Sequence, residues 1–358
     1  MPGFPWDRLA PFADQARAHP DGIVDLSIGT PVDPTPEVVQ QALRDASDAP
    51  GYPATIGSAP LRAALVAWTR RRLGAEVAEA EVLPSIGSKE LVALLPALLG
   101  LAPGTRVLIP ELAYPTYDAG ARLAGCVPVP TDEVTAHDPR GVGLVWLNSP
   151  GNPTGRVIPA ADLRGVVAWG RQHGVLVASD ECYLELGWES DPVSLLDPEV
   201  CGGSTEGLLA LHSLSKRSNL AGYRAGFAVG DSAVVSVLNE ARKNIGLLVP
   251  EPVQAAMVAA LADEVHVEEQ RQRYLARRTA LRAAVEGAGF TVTHSDAGLY
   301  LWATRGEDCW QTVRALAGQG ILAAPGAFYG AAGHQHIRLA LTATDERIAA
   351  AVSRLSAL

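Results

Sequence analysis

Three polar groups stand just past short apolar runs in the middle of the chain. Asn148 and Asn152 follow residues 143–147, Asp180 follows 175–178, and Ser213, Ser215 and Lys216 follow 208–211. If those runs are parallel strands, an amide, a carboxylate and an amine reach one rim, where open parallel sheets bind ligands. An amine there can attack a carbonyl carbon and then shuttle a proton. The chain holds only three lysines, Lys89, Lys216 and Lys243, and carries its remaining basic charge on arginine. Arginine stays protonated and forms no imine, so a lysine kept in this setting points to amine chemistry. Codon bias alone would account for Lys243.

The elements that must carry these groups alternate. Strands are expected over 106–109, 127–129, 143–147, 175–178, 208–211 and 224–229. The run Val145-Trp146-Leu147 is apolar on both faces, as a strand between two helix layers should be. Ser58 is placed to cap a helix over 61–73, and Ser88 to open one through 99 with a kink near Pro96. Residues 162–173 read as a crossover helix and 252–286 as one long Ala-rich helix stopping near Gly287 and Gly289. Beyond it the pattern becomes a smaller α+β unit, with strands near 290–293 and 336–341. The expected fold is therefore α/β: a large domain over 46–280, with a mostly parallel central sheet flanked by helices, and a small α+β domain formed by 1–45 with 281–358.

Composition narrows the class. At 358 residues, 48% hydrophobic and 19% charged, the chain can bury two cores. A net charge of −10 with no basic block argues against nucleic acid and anionic membranes. The start, Met1-Pro2-Gly3-Phe4-Pro5-Trp6, lacks a leader pattern, and the longest apolar stretch, 91–102, is broken by Pro96 and too short to span a bilayer. Four scattered cysteines show no metal-ligand spacing and suit a reducing cytoplasm.

Three motifs in order make the reading specific. Ser213-Leu214-Ser215-Lys216, followed by Leu220-Ala221-Gly222-Tyr223-Arg224-Ala225-Gly226, resembles the lysine signature of class I/II aminotransferases, enzymes that use pyridoxal 5′-phosphate (PLP). Asn148-Ser149-Pro150-Gly151-Asn152-Pro153 and Asp180-Glu181-Cys182-Tyr183 resemble that family's other two signatures. The resemblance implies the PLP-dependent transferase fold of type I, PLP as cofactor, and a homodimer acting on amino and 2-oxo acids. It implies that Lys216 holds the cofactor as an imine, that Asp180 pairs with the ring nitrogen, and that Asn152 and Tyr183 hydrogen-bond the ring oxygen. The Ser88 and Lys89 amides, with Ser213, Ser215 and Arg224, would bind the phosphate; Gly87-Ser88-Lys89 lacks the spacing of a P-loop. Tyr114 would stack on the ring, and Tyr52 would reach the phosphate of the neighbouring subunit. Gly29 would lie over the site, and Arg338 would grip the substrate α-carboxylate. Taken singly, Asn152 reads as a turn residue and Arg224 or Arg338 as a solvated strand arginine; the ordered set favours the site.

Stretches such as Ser27-Ile28-Gly29-Thr30-Pro31 and Gly298-Leu299-Tyr300-Leu301-Trp302 are similar to the actinobacterial N-succinyl-diaminopimelate aminotransferases of lysine biosynthesis. Where aspartate aminotransferases carry an arginine for the distal carboxylate, residues 245–249 are apolar. Arg242 and Lys243 just before them are expected at a solvated helix end. A PLP-dependent C–S lyase of the same fold would share every cofactor residue. A PLP-sensing regulator would need a DNA-binding domain, for which no N-terminal length is spare.

Overall fold

The computed structural model describes Gly3 and residues 5–356; Met1, Pro2 and Phe4 of the opening segment and Ala357 and Leu358 of the small-domain span lie outside the described residues. A seven-stranded sheet runs in the order Val82–Ile86, Ala225–Gly230, Leu208–Ser213, Leu176–Asp180, Val142–Asn148, Arg106–Ile109, Val127–Pro130. Ala225–Gly230 is antiparallel to both neighbours, and the other pairings are parallel.

Side-chain alternation explains why helices cover both faces. Val145 and Leu147 enter a core with Leu65 and Trp68 of helix Ala59–Leu73 and Leu163 of helix Ala160–His173. Leu144 and Trp146 enter the opposite core, with Leu91 and Leu95 of helix Ser88–Leu98 and Tyr117 of helix Thr116–Leu123. Each fully buried leucine contributes about 2 kcal/mol of hydrophobic stabilisation. A crossover helix between successive parallel strands leaves their carboxyl ends free on one rim.

A third core joins the two ends of the chain. Leu9, Ala13, Val24 and Leu26 pack with Leu281, Leu301, Val313 and Ile348. Val24–Asp25 pairs in parallel with Ile321–Leu322. Tyr300–Thr304 pairs antiparallel with His336–Ala340 and Thr291–Val292. Val39 of helix Glu37–Asp45, by contrast, belongs to the large-sheet core. Position 280 lies within the continuous helix Val265–Gly287.

Two local expectations change. The long helix expected over 252–286 is two, Glu251–Ala262 and Val265–Gly287. Asp263 breaks it: its backbone is extended, and its carboxylate accepts from the Val265 N–H at 3.0 Å and bonds His266 at 2.9 Å. Ser88 does open its helix, as the first residue, with Gly87 before it at φ +74°. Arg224 precedes its strand and sits in the left-handed region at φ +56°. Ser58 does cap its helix, accepting from the Leu61 N–H at 3.4 Å. Among the described residues no helix is long and apolar enough to cross a membrane.

Candidate active site

A cavity of about 520 Å³ opens at the carboxyl ends of the central strands. Asn148, Asp180 and Ser213 are each the last residue of a strand. Ser213 accepts from the Ser215 N–H at 3.1 Å, which starts the short helix Leu214–Arg217 and turns Lys216 into the cavity. The Asn148 amide pins the neighbouring loop. Its Nδ2 donates to the carbonyls of Asp180 (2.9 Å) and Pro150 (3.2 Å), and its Oδ1 accepts from the Asn152 N–H (2.8 Å).

Asp180 is buried, accepts from the Tyr117 hydroxyl at 3.0 Å and the Cys182 N–H at 3.3 Å, and has no cationic partner among the described residues. Burial raises its carboxyl above the ordinary value, and those hydrogen bonds pull it back. Burial, with the Arg338 and Arg224 guanidiniums, lowers Lys216 to about 8, against a smaller opposing pull from Cys182. The Lys216 amine donates to the Gly29 carbonyl.

At the floor, helix Ser88–Leu98 presents its N-terminus beside Arg224. Arg224 donates to the carbonyls of Ala221 at 2.9 Å and Ile86 at 3.4 Å. Gly87 holds φ +74°, a backbone that strains any other residue, and a Cβ there would also displace the Arg224 guanidinium 2.4 Å away. Ser213 and Ser215 bring hydroxyls 2.8 Å apart to the same wall. The Lys89 ammonium sits 5.5 Å from the centre of the Tyr114 ring, which also lines the cavity.

Opposite, Arg338 is 2% exposed. Its Nη1 donates to Asn152 Oδ1 at 2.8 Å and its Nη2 to the Ser27 carbonyl at 2.6 Å, while the buried Nε–H has no partner among the described residues. Its Cζ lies 3.9 Å from the centre of the Tyr300 ring. The Tyr183 hydroxyl is 3.0 Å from that of Tyr300.

Every cavity residue expected from the sequence lines this space: Gly29, Ser88, Lys89, Tyr114, Asn152, Asp180, Tyr183, Ser213, Ser215, Lys216, Arg224 and Arg338. Tyr52 does not; it is 99% exposed and outside the cavity of its own subunit. Residues 245–249 also lie outside it, with Ile245 58% exposed. Arg242 is not at a solvated helix end. It is fully buried and paired with Glu90 at 2.8 Å, because the helix Ser232–Ile245 packs that face onto the helix carrying Glu90. Trp6, Tyr117 and Tyr300 were not foreseen. Tyr117 stands three residues after Tyr114, and Tyr300 in the stretch Gly298-Leu299-Tyr300-Leu301-Trp302, but spacing alone gives neither a partner.

The set of groups suits PLP. A buried carboxylate without a cation matches a ring N–H, and an amine of lowered basicity matches an aldehyde. Hydroxyls, a guanidinium and a helix N-terminus match a phosphate.

This fold and cavity define a PLP-dependent transferase. The chain belongs to the class I and II aminotransferases, whose family profile matches residues 21–355, and that family depends on PLP. It is 59% identical over 356 residues to the 4-dedimethylamino-4-oxo-anhydrotetracycline transaminase OxyQ of Streptomyces rimosus, covering 99% of each chain. It is 60% identical over 357 residues to a probable aminotransferase of Mycobacterium tuberculosis, covering 99% of this chain and 85% of that one. Among solved structures, a probable N-succinyldiaminopimelate aminotransferase from Thermus thermophilus aligns with a TM-score of 0.89 at 29% identity, covering 99% of this chain and 100% of that one.

Proposed function

We propose that this aminotransferase exchanges amino groups between N-succinyl-L,L-diaminopimelate and 2-oxoglutarate, with Lys216 carrying the cofactor. The observation that carries the site reading is the convergence of the Lys216 amine, the Asp180 carboxylate and the Arg338 guanidinium on one cavity. Bound PLP supplies an electron sink for the bond pair released at the substrate α-carbon. Lys216 would hold the cofactor aldehyde through its amine; once released, that amine would take the proton from the substrate α-carbon and pass it on to the cofactor. A basicity near 8 leaves a useful neutral fraction at neutral pH. Asp180 keeps a proton on the ring nitrogen. Asn152 and Tyr183 hold the ring oxygen, and Tyr114 stacks on the ring face. The Ser88 and Lys89 amides with Ser213, Ser215 and Arg224 hold the phosphate. Arg338 and Asn152 take the α-carboxylate beneath Gly29. Tyr52, exposed and outside its own cavity, serves the phosphate site of a second copy, so the working unit is a homodimer.

The substrate reading is supported by the stretches similar to N-succinyl-diaminopimelate aminotransferases and by the Thermus relative. One specific observation favours a second reading. The 59% identity to the Streptomyces enzyme suggests a polycyclic ketone acceptor of the kind in that enzyme's name, with an amino acid as donor. Amino donors assayed with 2-oxoglutarate, beside the tetracycline-type ketone assayed with glutamate, separate the two. The first reading expects kcat/KM for N-succinyl-L,L-diaminopimelate to exceed that for aspartate by at least about tenfold. A preference for aspartate or for the ketone overturns it.

A further inference from the structure

The Tyr183 and Tyr300 hydroxyls lie 3.0 Å apart in a buried position, and their rings meet edge to face with centroids 5.7 Å apart. Burial raises both phenols; Tyr300 raises Tyr183 further, while Arg338 and the hydrogen bond with Tyr183 pull Tyr300 back without cancelling its burial, so both are neutral hydroxyls with one proton apiece. The pair shares one hydrogen bond, so only one of the two protons lies between the oxygens. Among the described residues Tyr300 Oη has no other hydrogen-bond partner, and both tyrosines line the cavity. If Tyr183 gives its proton to the cofactor's ring oxygen, as the proposed function requires, the proton between the two tyrosines must come from Tyr300.

We propose that Tyr300 is a positioning residue that donates its phenolic proton to Tyr183 and so aims the Tyr183 proton at the ring oxygen. The inference rests on the reading of Tyr183 given above. Hydrogen bonds in series polarise one another, so a donor behind Tyr183 strengthens its donation by roughly 10–30%. The same ring does a second job. Its face lies 3.9 Å from the Arg338 Cζ, so one side chain touches both the carboxylate clamp and the donor to the ring oxygen. A Cβ at Gly29 would come within 2.2 Å of Tyr300 Oη, so glycine at that position is what admits the hydroxyl. The other titratable or charged groups around the pair, among the described residues, are Cys182, Asp180, Lys216, Tyr114, Tyr274, Tyr329 and Arg338.

The effect is read in the holoenzyme as the pH midpoint of the visible absorbance change, which reports the proton on the lysine–cofactor link. Donation to the ring oxygen draws electron density away from that proton and lowers the midpoint. Tyr300→Phe keeps the ring over Arg338 and removes only the hydroxyl. Its midpoint is expected to rise by about 0.3–0.5 pH unit, given the weakened donation from Tyr183. KM for glutamate is expected to change by less than about twofold, because the face presented to the guanidinium remains. In a Tyr183→Phe background the further change Tyr300→Phe should move the midpoint no more, since Tyr300 acts through Tyr183. An unmoved midpoint in PLP-loaded Tyr300→Phe, or shifts that add in the double variant, would overturn the inference. A wild-type protein with no visible band would instead overturn the proposed reading of the site.

Discussion

Replacing Arg338 with lysine separates geometry from charge. The native guanidinium spends one N–H on Asn152 Oδ1 at 2.8 Å and one on the Ser27 carbonyl at 2.6 Å, leaving Nε–H and one proton on each terminal nitrogen for a substrate. A carboxylate can therefore be met by two parallel donors without giving up either anchor. Lysine ends in a single nitrogen with three protons and no plane. It can keep at most one anchor while offering the carboxylate one bond. The loss to substrate is one charge-assisted hydrogen bond, about 1.5–3 kcal/mol. At 1.36 kcal/mol per factor of ten, kcat/KM should fall by roughly 10- to 150-fold. The abandoned anchor also costs stability, about 1–3 kcal/mol for a buried acceptor left unpaired. Glutamate and N-succinyl-L,L-diaminopimelate share the α-amino acid end, so both should fall together while PLP content stays near wild type. Steady-state kinetics on both donors with cofactor quantified by absorbance gives the answer. A loss confined to one donor places Arg338 in the distal region, and a drop below about threefold on both shows that the fork is not what holds the carboxylate.

Lys216 is lowered to about 8, so PLP uptake by the cofactor-free protein should speed up with rising pH and level off near 8, whereas an ordinary lysine would keep accelerating to about 10.5. Borohydride should then fix the cofactor on Lys216; label on Lys89 or Lys243 ends the assignment. Asp180→Ala should retain PLP through the phosphate contacts yet lose at least about a hundredfold in turnover, as expected when one electrostatic stabiliser is removed; near-normal turnover in a loaded variant refutes its role. Mixing inactive Lys216→Ala with Tyr52→Ala subunits should restore about a quarter of wild-type activity through hybrid dimers with one intact site each. No recovery above the parents argues against a shared site.

The rim was legible because its logic is local. A polar residue just past an apolar run marks a strand end, and Asn148, Asp180 and Ser213 each stand at one. Ser58 was legible for the same reason: a cap bonds a backbone N–H three residues away. Asp263 was not, because helix-forming sequence on both sides favours continuing the helix, and the break depends on its carboxylate bonding Val265 and His266. Arg224 read as a strand residue because Ala225–Gly230 follows it directly. Its left-handed backbone answers a distant demand: its guanidinium reaches back to the Ile86 carbonyl on another strand. Arg242 hid for a similar reason, since its partner Glu90 lies 152 residues away in the chain. Tyr300 belongs to the same class. Nothing near it in sequence announces Tyr183 or Arg338, which meet it only once the third core has closed.

That third core also sets an order of events during synthesis. Val24 pairs with Ile321, so its two-stranded sheet cannot form until nearly the whole chain has left the ribosome. Val82–Ile86 must wait as well, because its one partner in the sheet is Ala225–Gly230. The parallel strands from Arg106–Ile109 to Leu208–Ser213 can assemble first, as their pairings close over shorter stretches. Until the reversed strand and the last helix arrive, the nascent chain carries an unpaired sheet edge and the bare apolar face of residues 9–26, the kind of surface that aggregates or recruits chaperones. A protein whose active site straddles both ends of its chain is therefore assembled last where it will work.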